Sequence, residues 1–303
     1  MISHFIRSKP TMSFWKALFG GAEETPEEEQ TSNEAKRFDL MKYDGVKAMK
    51  SGQFDYALRC FEEALKMKDD LETHDYLSRT YVRLDRLDDA LKELDVMARA
   101  EPTNTDVLLT MAHVAYMNED YVLMTDACER CIAIESEQPT AYYLYAQAAL
   151  GQGDMVNCIA RLSKAIAIDG NHADARLLRS QTLLKMGDVK GAEEDAQWLA
   201  EHVGDQEDVL MLAAHIAHAQ GNDDQAILIY NKVTELNPFH VEAYAERGKL
   251  YYDHNDKRHA EEDMKKVLEL NPQQMADVSG DYSAEGVEQQ MKRAYSMMNP
   301  FGI

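Results

Sequence analysis

The sequence predicts an all-α fold: a solenoid of seven helix–turn–helix units closed by a C-terminal capping helix. The first observation behind this is a helix-pair signature that recurs about every 34 residues from Phe38 to Gln273. The column Ala57, Ala90, Met124, Cys158, Ala192, Ala226, Ala260 keeps its register through seven copies, stepping 33 residues once and then 34 five times. A period of this length marks supersecondary units that bury their apolar faces against each other. The second observation is a size column on the first helix of each unit, Gly45, Ser78, Ala112, Ala146, Ser180, Ala214 and Gly248. It is met from the second helix by Phe61, Leu94, Cys128, Leu162 and Tyr230. Small residues there let the two helices of a pair approach closely. The third is a regular set of breaks, including Ser51-Gly52, Met186-Gly187-Asp188 and Gln220-Gly221-Asn222 inside units, and Glu101-Pro102, Asn237-Pro238 and Asn271-Pro272 between them.

In chain order, residues 1–36 read as an N-terminal segment. Phe14-Trp15-Lys16-Ala17-Leu18-Phe19 is a short aromatic stretch, and residues 21–36 are acidic and read as a solvated linker. Pro26, after Thr25 and before Glu28, offers the alternative of a capped helix start. Seven repeats fill residues 37–272, at about 38–70, 71–104, 105–138, 139–172, 173–206, 207–240 and 241–272. Within 139–172, Tyr142, Tyr145, Ala146 and Ala149 share one face of a first helix. Gln152-Gly153-Asp154 breaks it, and Cys158, Leu162, Ala165 and Ile166 share one face of a second. A helix of this length is marginal alone in water, so stability has to come from stacking. In residues 283–298, Val287, Met291, Ala294, Tyr295 and Met298 form one apolar stripe with a polar back, the pattern of a capping helix; residues 299–303 are a tail.

Composition narrows the function. Lys plus Arg is 32 against 54 Asp plus Glu, a formal net charge of −22. Such a surface repels phosphate backbones and anionic lipid heads, which argues against nucleic-acid and membrane-surface partners. The four cysteines, Cys60, Cys128, Cys131 and Cys158, are too few for a disulfide framework and suit reduced thiols in a cytoplasmic setting. No apolar run approaches the ~20 residues of a membrane span. Lys16 interrupts the N-terminal apolar stretch, so no signal peptide is expected, and Met12 is a second candidate start. The Phe14–Phe19 stretch is read first as a cap or self-docking segment and second as a membrane contact.

The chemistry-bearing candidates resolve to packing or partner contact. Cys128 and Cys131 form a C-x-x-C, yet no second ligand pair lies nearby for zinc, no βαβ context supports a redox role, and both fall on core columns. His215 and His218 stand one turn apart, and nothing supplies a third metal ligand. Phosphate-loop, dinucleotide, zinc-protease and nucleophile-elbow motifs are missing. The expectation is therefore a non-enzyme with no catalytic residues, metal or cofactor. The acidic column Asp39, Glu72, Asp106, Asp174, Asp208, Glu242 is read as first-turn acids favoured by the helix dipole rather than as a ladder for a basic peptide.

The 34-residue unit with these columns resembles the tetratricopeptide repeat (TPR) family. Residues 207–240 carry Ala214, Gly221, Ala226, Tyr230 and Pro238 on the signature positions; residues 241–272 carry Tyr244, Gly248, Tyr251, Ala260 and Pro272; residues 38–71 keep Gly45, Gly52, Phe54, Ala57, Phe61 and Ala64. The middle copies are looser, with Met124 and Cys158 in place of Ala, and Ser136, Gly170 and Gly204 in place of Pro. The resemblance implies a right-handed superhelix whose first helices line a concave groove that holds a segment of a partner protein. The clamp for acidic chaperone tails is not matched: Lys42 is present, but Val46 stands where Asn is required, and Asp75 and Arg79 occupy that face of the next helix.

On that reading the groove is lined by Leu109, His113, Tyr116 and Met117; by Tyr143, Gln147 and Leu150; by Leu177, Gln181 and Leu184; by Met211, His215 and His218; and by Lys249 and Tyr252. The set is neutral, apolar and aromatic on an otherwise acidic chain, which is the composition of a binding strip unless curvature makes these side chains cover one another. The expected function is a protein-interaction scaffold binding a peptide segment. The alternatives are a chaperone-like escort for an apolar client segment and a regulatory subunit of an enzyme complex.

Overall fold

The computed structural model describes residues 26–271, and among them every regular element is an α-helix. The chain divides into two compact units between Pro102 and Thr103. In the first unit, α1 (Pro26–Lys50) pairs with α2 (Phe54–Met67), and α3 (Leu71–Arg83) pairs with α4 (Leu87–Ala100). The second unit holds five hairpins: α5 (Thr105–Met117) with α6 (Tyr121–Ile134), α7 (Pro139–Gly151) with α8 (Met155–Ile168), α9 (Ala173–Lys185) with α10 (Val189–His202), α11 (Glu207–Ala219) with α12 (Asp223–Leu236), and α13 (Val241–Asp253) with α14 (Lys257–Leu270). These are the seven repeats, each in its expected register. The expected capping helix over 283–298, the tail 299–303 and the Phe14–Phe19 stretch lie outside the described residues.

One boundary moves. Residues 26–36, read as linker, form the opening turns of α1. Pro26 has the backbone angle of a first helical residue already set, and the acids Glu27–Glu29 that follow suit a helix N-terminus. The same shift changes the reading of Asp39, which sits in the middle of α1 and not in a first turn. Glu72, Asp106, Asp174, Asp208 and Glu242 do occupy first turns.

Each hairpin is closed by the same turn. Its left-handed residue is Gly52, Gly153, Gly187 or Gly221 in four hairpins and Asp85, Glu119 or Asn255 in the other three, with φ between 55° and 80° throughout. The next residue caps the second helix in the five hairpins of the second unit: Asp120, Asp154, Asp188, Asn222 and Asp256 each accept a hydrogen bond from the backbone N–H three residues on. An Asx side chain there satisfies a donor that the first helical turn leaves orphaned. In the first unit, Asp70 caps α3 in the same manner, accepting from Thr73 N at 3.1 Å while holding Lys42 Nζ at 2.8 Å. Burial raises its carboxyl pKa, and the Lys42 and Thr73 contacts outweigh that, bringing it down to about 2.

The size columns form the core. Ala112, Ala146, Ala214 and Ser180 are fully covered, as are Phe61, Cys128, Leu162 and Tyr230 opposite them. How close the helices come is visible at Ser180, whose hydroxyl donates to Ala192 O across the α9–α10 pair at 2.7 Å. At Gly45 a Cβ would lie 2.5 Å from the Phe61 ring. That ring is fully buried and stacks on Tyr76 of the next hairpin, with centroids 5.6 Å apart.

Two stability predictions follow from the turn and the close approach. Gly45→Ala should gain up to ~1 kcal/mol of helix propensity yet lose about 1–3 kcal/mol to overpacking, for a net destabilisation read as a lower urea midpoint. An unchanged or raised midpoint would contradict the Gly45–Phe61 contact. Glu119→Gly should stabilise the second unit by about 1 kcal/mol, because a non-glycine residue in the left-handed region costs ~1–2 kcal/mol. Gly153→Glu should do the reverse. Denaturant unfolding of both variants checks the pair.

Candidate functional site

The side chains expected to line a groove lie on α5, α7, α9, α11 and α13, the five first helices of the second unit. Consecutive first helices meet directly, α5 against α7 and α9 against α11. The fold thus brings residues from different repeats into one row, but it does not expose them equally.

The α5 end is the most open. His113 is exposed, Tyr116 is 44% exposed and Met117 is 52% exposed, while Leu109 is half-buried. On α7, Tyr143 is half-buried. Its ring lies tilted against His172 at 5.2 Å, and Gln147 Nε2 donates to its hydroxyl at 3.3 Å. Burial pushes the Tyr143 phenol up, and the nearby Asp174 and Tyr116 add to that, which places the two tyrosines of adjacent repeats in one neighbourhood. Leu150 and Leu177 each present part of their surface while packing on the core beneath. Gln181 is half-buried as well.

Two of the expected lining residues are core residues. Leu184 is buried, in a cluster with Val209, Leu212 and Ile216 where α9 meets α11. Met211 is buried with Tyr230, Val233 and Leu250. Helical periodicity places a side chain on a face; it does not show how far the neighbouring helix leans over that face. At these two positions the neighbour closes it.

The histidines of α11 are engaged by carboxylates. His215 Nε2 lies 2.7 Å from Oε2 of the fully buried Glu246 on α13, and its ring meets Tyr230 edge-on at 6.5 Å. His218 Nδ1 is 2.6 Å from Asp223 Oδ1, whose other oxygen takes His254 Nε2 at 2.9 Å. Burial raises the Asp223 pKa, and the two imidazoles outweigh it, so the carboxyl sits below its ordinary value. Among the described residues no group of three or more His, Cys, Asp or Glu side chains could hold a metal ion. On α13, Lys249 pairs with Asp253, and Tyr252 packs against the Ala260–Met264 cluster. Cys128 and Cys131 are buried core thiols, and burial pushes Cys128 up to about 12, away from any thiolate chemistry at neutral pH.

Sequence reasoning missed a set of buried ion pairs behind this row. Asp195 on α10, 2% exposed at its side chain, receives Arg179 Nε at 2.7 Å and Arg176 Nη1 at 3.1 Å, and Arg179 Nη1 also donates to Ser163 Oγ of the preceding hairpin at 3.0 Å. Two repeats later, at the same positions, Arg247 donates to both oxygens of Asp263, at 2.9 and 2.6 Å, and to Asn231 and Thr234 of the hairpin before. Burial raises the Asp263 pKa, with Arg247 opposing it. Each network ties a hairpin internally and fastens it to its predecessor. The available signal was an Arg column and an Asp column coinciding in repeats five and seven. In the repeat four copy the charges are rearranged, and the Arg161 guanidinium lies 4.1 Å from the Tyr145 ring centroid instead.

Asp195→Ala should cost about 3 kcal/mol or more, because it strands two guanidinium groups in a low-dielectric site. Asp195→Leu combined with Arg179→Leu should recover much of that loss. Thermal unfolding of the single and double variants tests it; equal losses in both would mean that the pairing contributes little.

Comparison with known proteins agrees with the fold. The tetratricopeptide repeat family model matches residues 207–240 and 241–274, and the model for subunit 3 of the anaphase-promoting complex, or cyclosome, matches residues 126–198. No curated protein matches the sequence. A tetratricopeptide repeat protein from Parabacteroides merdae is similar over 86% of this chain and 99% of its own, at 15% identity and a TM-score of 0.66. Pseudomonas aeruginosa pilF is similar over 68% of this chain and 94% of its own, at 15% identity and a TM-score of 0.53. YrrB, described as a TPR protein with an unusual peptide-binding site, is similar over 66% of this chain and 97% of its own, at 16% identity and a TM-score of 0.50. At these identities the structural likeness speaks to the fold. With seven hairpins in one register, the signature residues on their columns and the tetratricopeptide repeat family model matching the last two of them, the chain has the tetratricopeptide repeat fold.

Proposed function

We propose that this protein is a non-enzymatic scaffold that holds a segment of a partner protein against the first-helix row of its second unit. The observation that carries this reading is the apolar, aromatic surface at the α5–α7 end. There Tyr116 and Met117 stand open beside the half-buried Tyr143 and Leu150, on a chain with a net charge of −22. Apolar side chains grouped on an acidic soluble surface mark a place where another molecule excludes water. Leu184 and Met211 act in this reading as supports beneath the row, and His215 and His218 as rigid elements fixed by their carboxylates. The four buried thiols are consistent with the cytoplasmic location expected from the sequence. Among the described residues no helix is long and apolar enough to cross a membrane.

The test is photo-crosslinking in cells from position 116, with position 156, exposed on the second helix α8, as a control. A discrete partner should be trapped from 116 and not from 156. Tyr116→Glu combined with Met117→Glu should abolish its capture from a probe at position 113, while helical content and the melting transition stay near wild type, since both side chains face solvent. Equal trapping from positions 116 and 156, or capture from 113 that survives the double substitution, would overturn the assignment.

A further inference from the structure

The first hairpin exposes a face that later hairpins hide. Leu40 on α1 is 54% exposed, Tyr43 is 66% exposed, and Lys47 one turn on is exposed as well. At Leu40's place in the other repeats stand Thr73, Val107, Ala141, Ala175, Val209 and Ala243, none of them more than 6% exposed. At Lys47's place, Thr80, Thr182 and Leu250 are buried. The cause is the stacking itself. The second helix of the preceding hairpin lies on that face, as seen where Thr182 Oγ1 on α9 approaches Cys158 Sγ on α8 at 3.8 Å. No described hairpin precedes α1. A terminal repeat that meets water directly carries a polar outer face. Here Leu40 is bulkier than the Ala, Thr and Val of its interior column, and it stands beside the open ring of Tyr43, so the face has the character of a surface with an occupant.

We propose that residues 14–19 of the same chain, Phe-Trp-Lys-Ala-Leu-Phe, occupy this face in place of the absent second helix. Phe14, Trp15, Leu18 and Phe19 stand at i, i+1, i+4 and i+5, which puts all four on one side of a helix. The distance suits them. From Pro26 to Leu40 the helix advances about 21 Å, and residues 20–25 alone span up to about 20 Å when extended. The segment therefore reaches Leu40 and Tyr43 by running back along α1. Tethering also favours it over any free partner, because a short linker holds a segment at an effective concentration of order millimolar.

The experiment uses the full chain with Trp198→Phe, which leaves Trp15 as the single tryptophan. Trp15 emission should be blue-shifted, and its quenching by acrylamide several-fold weaker than in the same protein unfolded in urea. Adding Leu40→Glu and Tyr43→Glu should return emission and quenching to the unfolded values at every protein concentration, and should lower the melting temperature to that of a variant lacking residues 1–20. Both positions are solvent-facing in the folded unit, so the hairpin itself is preserved; circular dichroism verifies it. Should Trp198→Phe disturb the second unit, 5-fluorotryptophan incorporated into the wild-type chain reports Trp15 by ¹⁹F resonance with the same comparison. A Trp15 as freely quenched as in urea overturns the proposal, as does a protected Trp15 indifferent to the two glutamates. Protection lost on dilution together with halving of the mass overturns it in favour of a second copy of the chain.

Discussion

The close approach of two antiparallel helices, a small side chain on one beneath a large one on the other, is the constraint from which the rest of this structure follows. Gly45 under Phe61 is its tightest instance, and Ser180, which reaches Ala192 O, its polar one. Once the pair is that close, the connecting turn has little freedom. All seven hairpins bring one residue into the left-handed region, whether or not that residue is glycine. The same contact leaves each hairpin with an apolar flank that only another hairpin can cover, so within each of the two compact units the hairpins stack rather than stand alone.

Polar groups do the work of fixing register. Dispersion and burial are non-directional and tolerate sliding; a buried carboxylate with two guanidinium partners does not. Asp195 and Asp263 on second helices receive arginines from the first helix of the same hairpin, and Arg179 and Arg247 in turn donate to Ser163, Asn231 and Thr234 of the hairpin before. The His215–Glu246 contact links α11 to α13 in the same way. The cost of desolvating these charges is offset by bidentate geometry, so their contribution is more to a single alignment of repeats than to raw stability.

The candidate binding row inherits its form from that alignment. Its members come from five separate repeats and are collected only because consecutive first helices touch. The collection is uneven: open at Tyr116 and Met117, closed at Leu184 and Met211. The row presents aromatic and thioether groups at one end and histidines braced by carboxylates at the other. The aromatic rings give contact area at low entropic cost, and the flexible thioether adapts to what it meets.

The sequence by itself determined the helix class, the number of repeats, their register and the core columns, because these depend on local periodicity and on side-chain size, both written residue by residue. The turns were legible for the same reason. Tertiary structure alone decided the extent of α1, the division of the chain after Pro102, which groove candidates were open, and where buried charge was neutralised. Each of these depends on how far a neighbouring helix leans across a face. Leu184 and Tyr116 occupy equivalent positions in their repeats, yet one is covered and the other is not. The difference lies in the helices around them and not in either residue's own pattern.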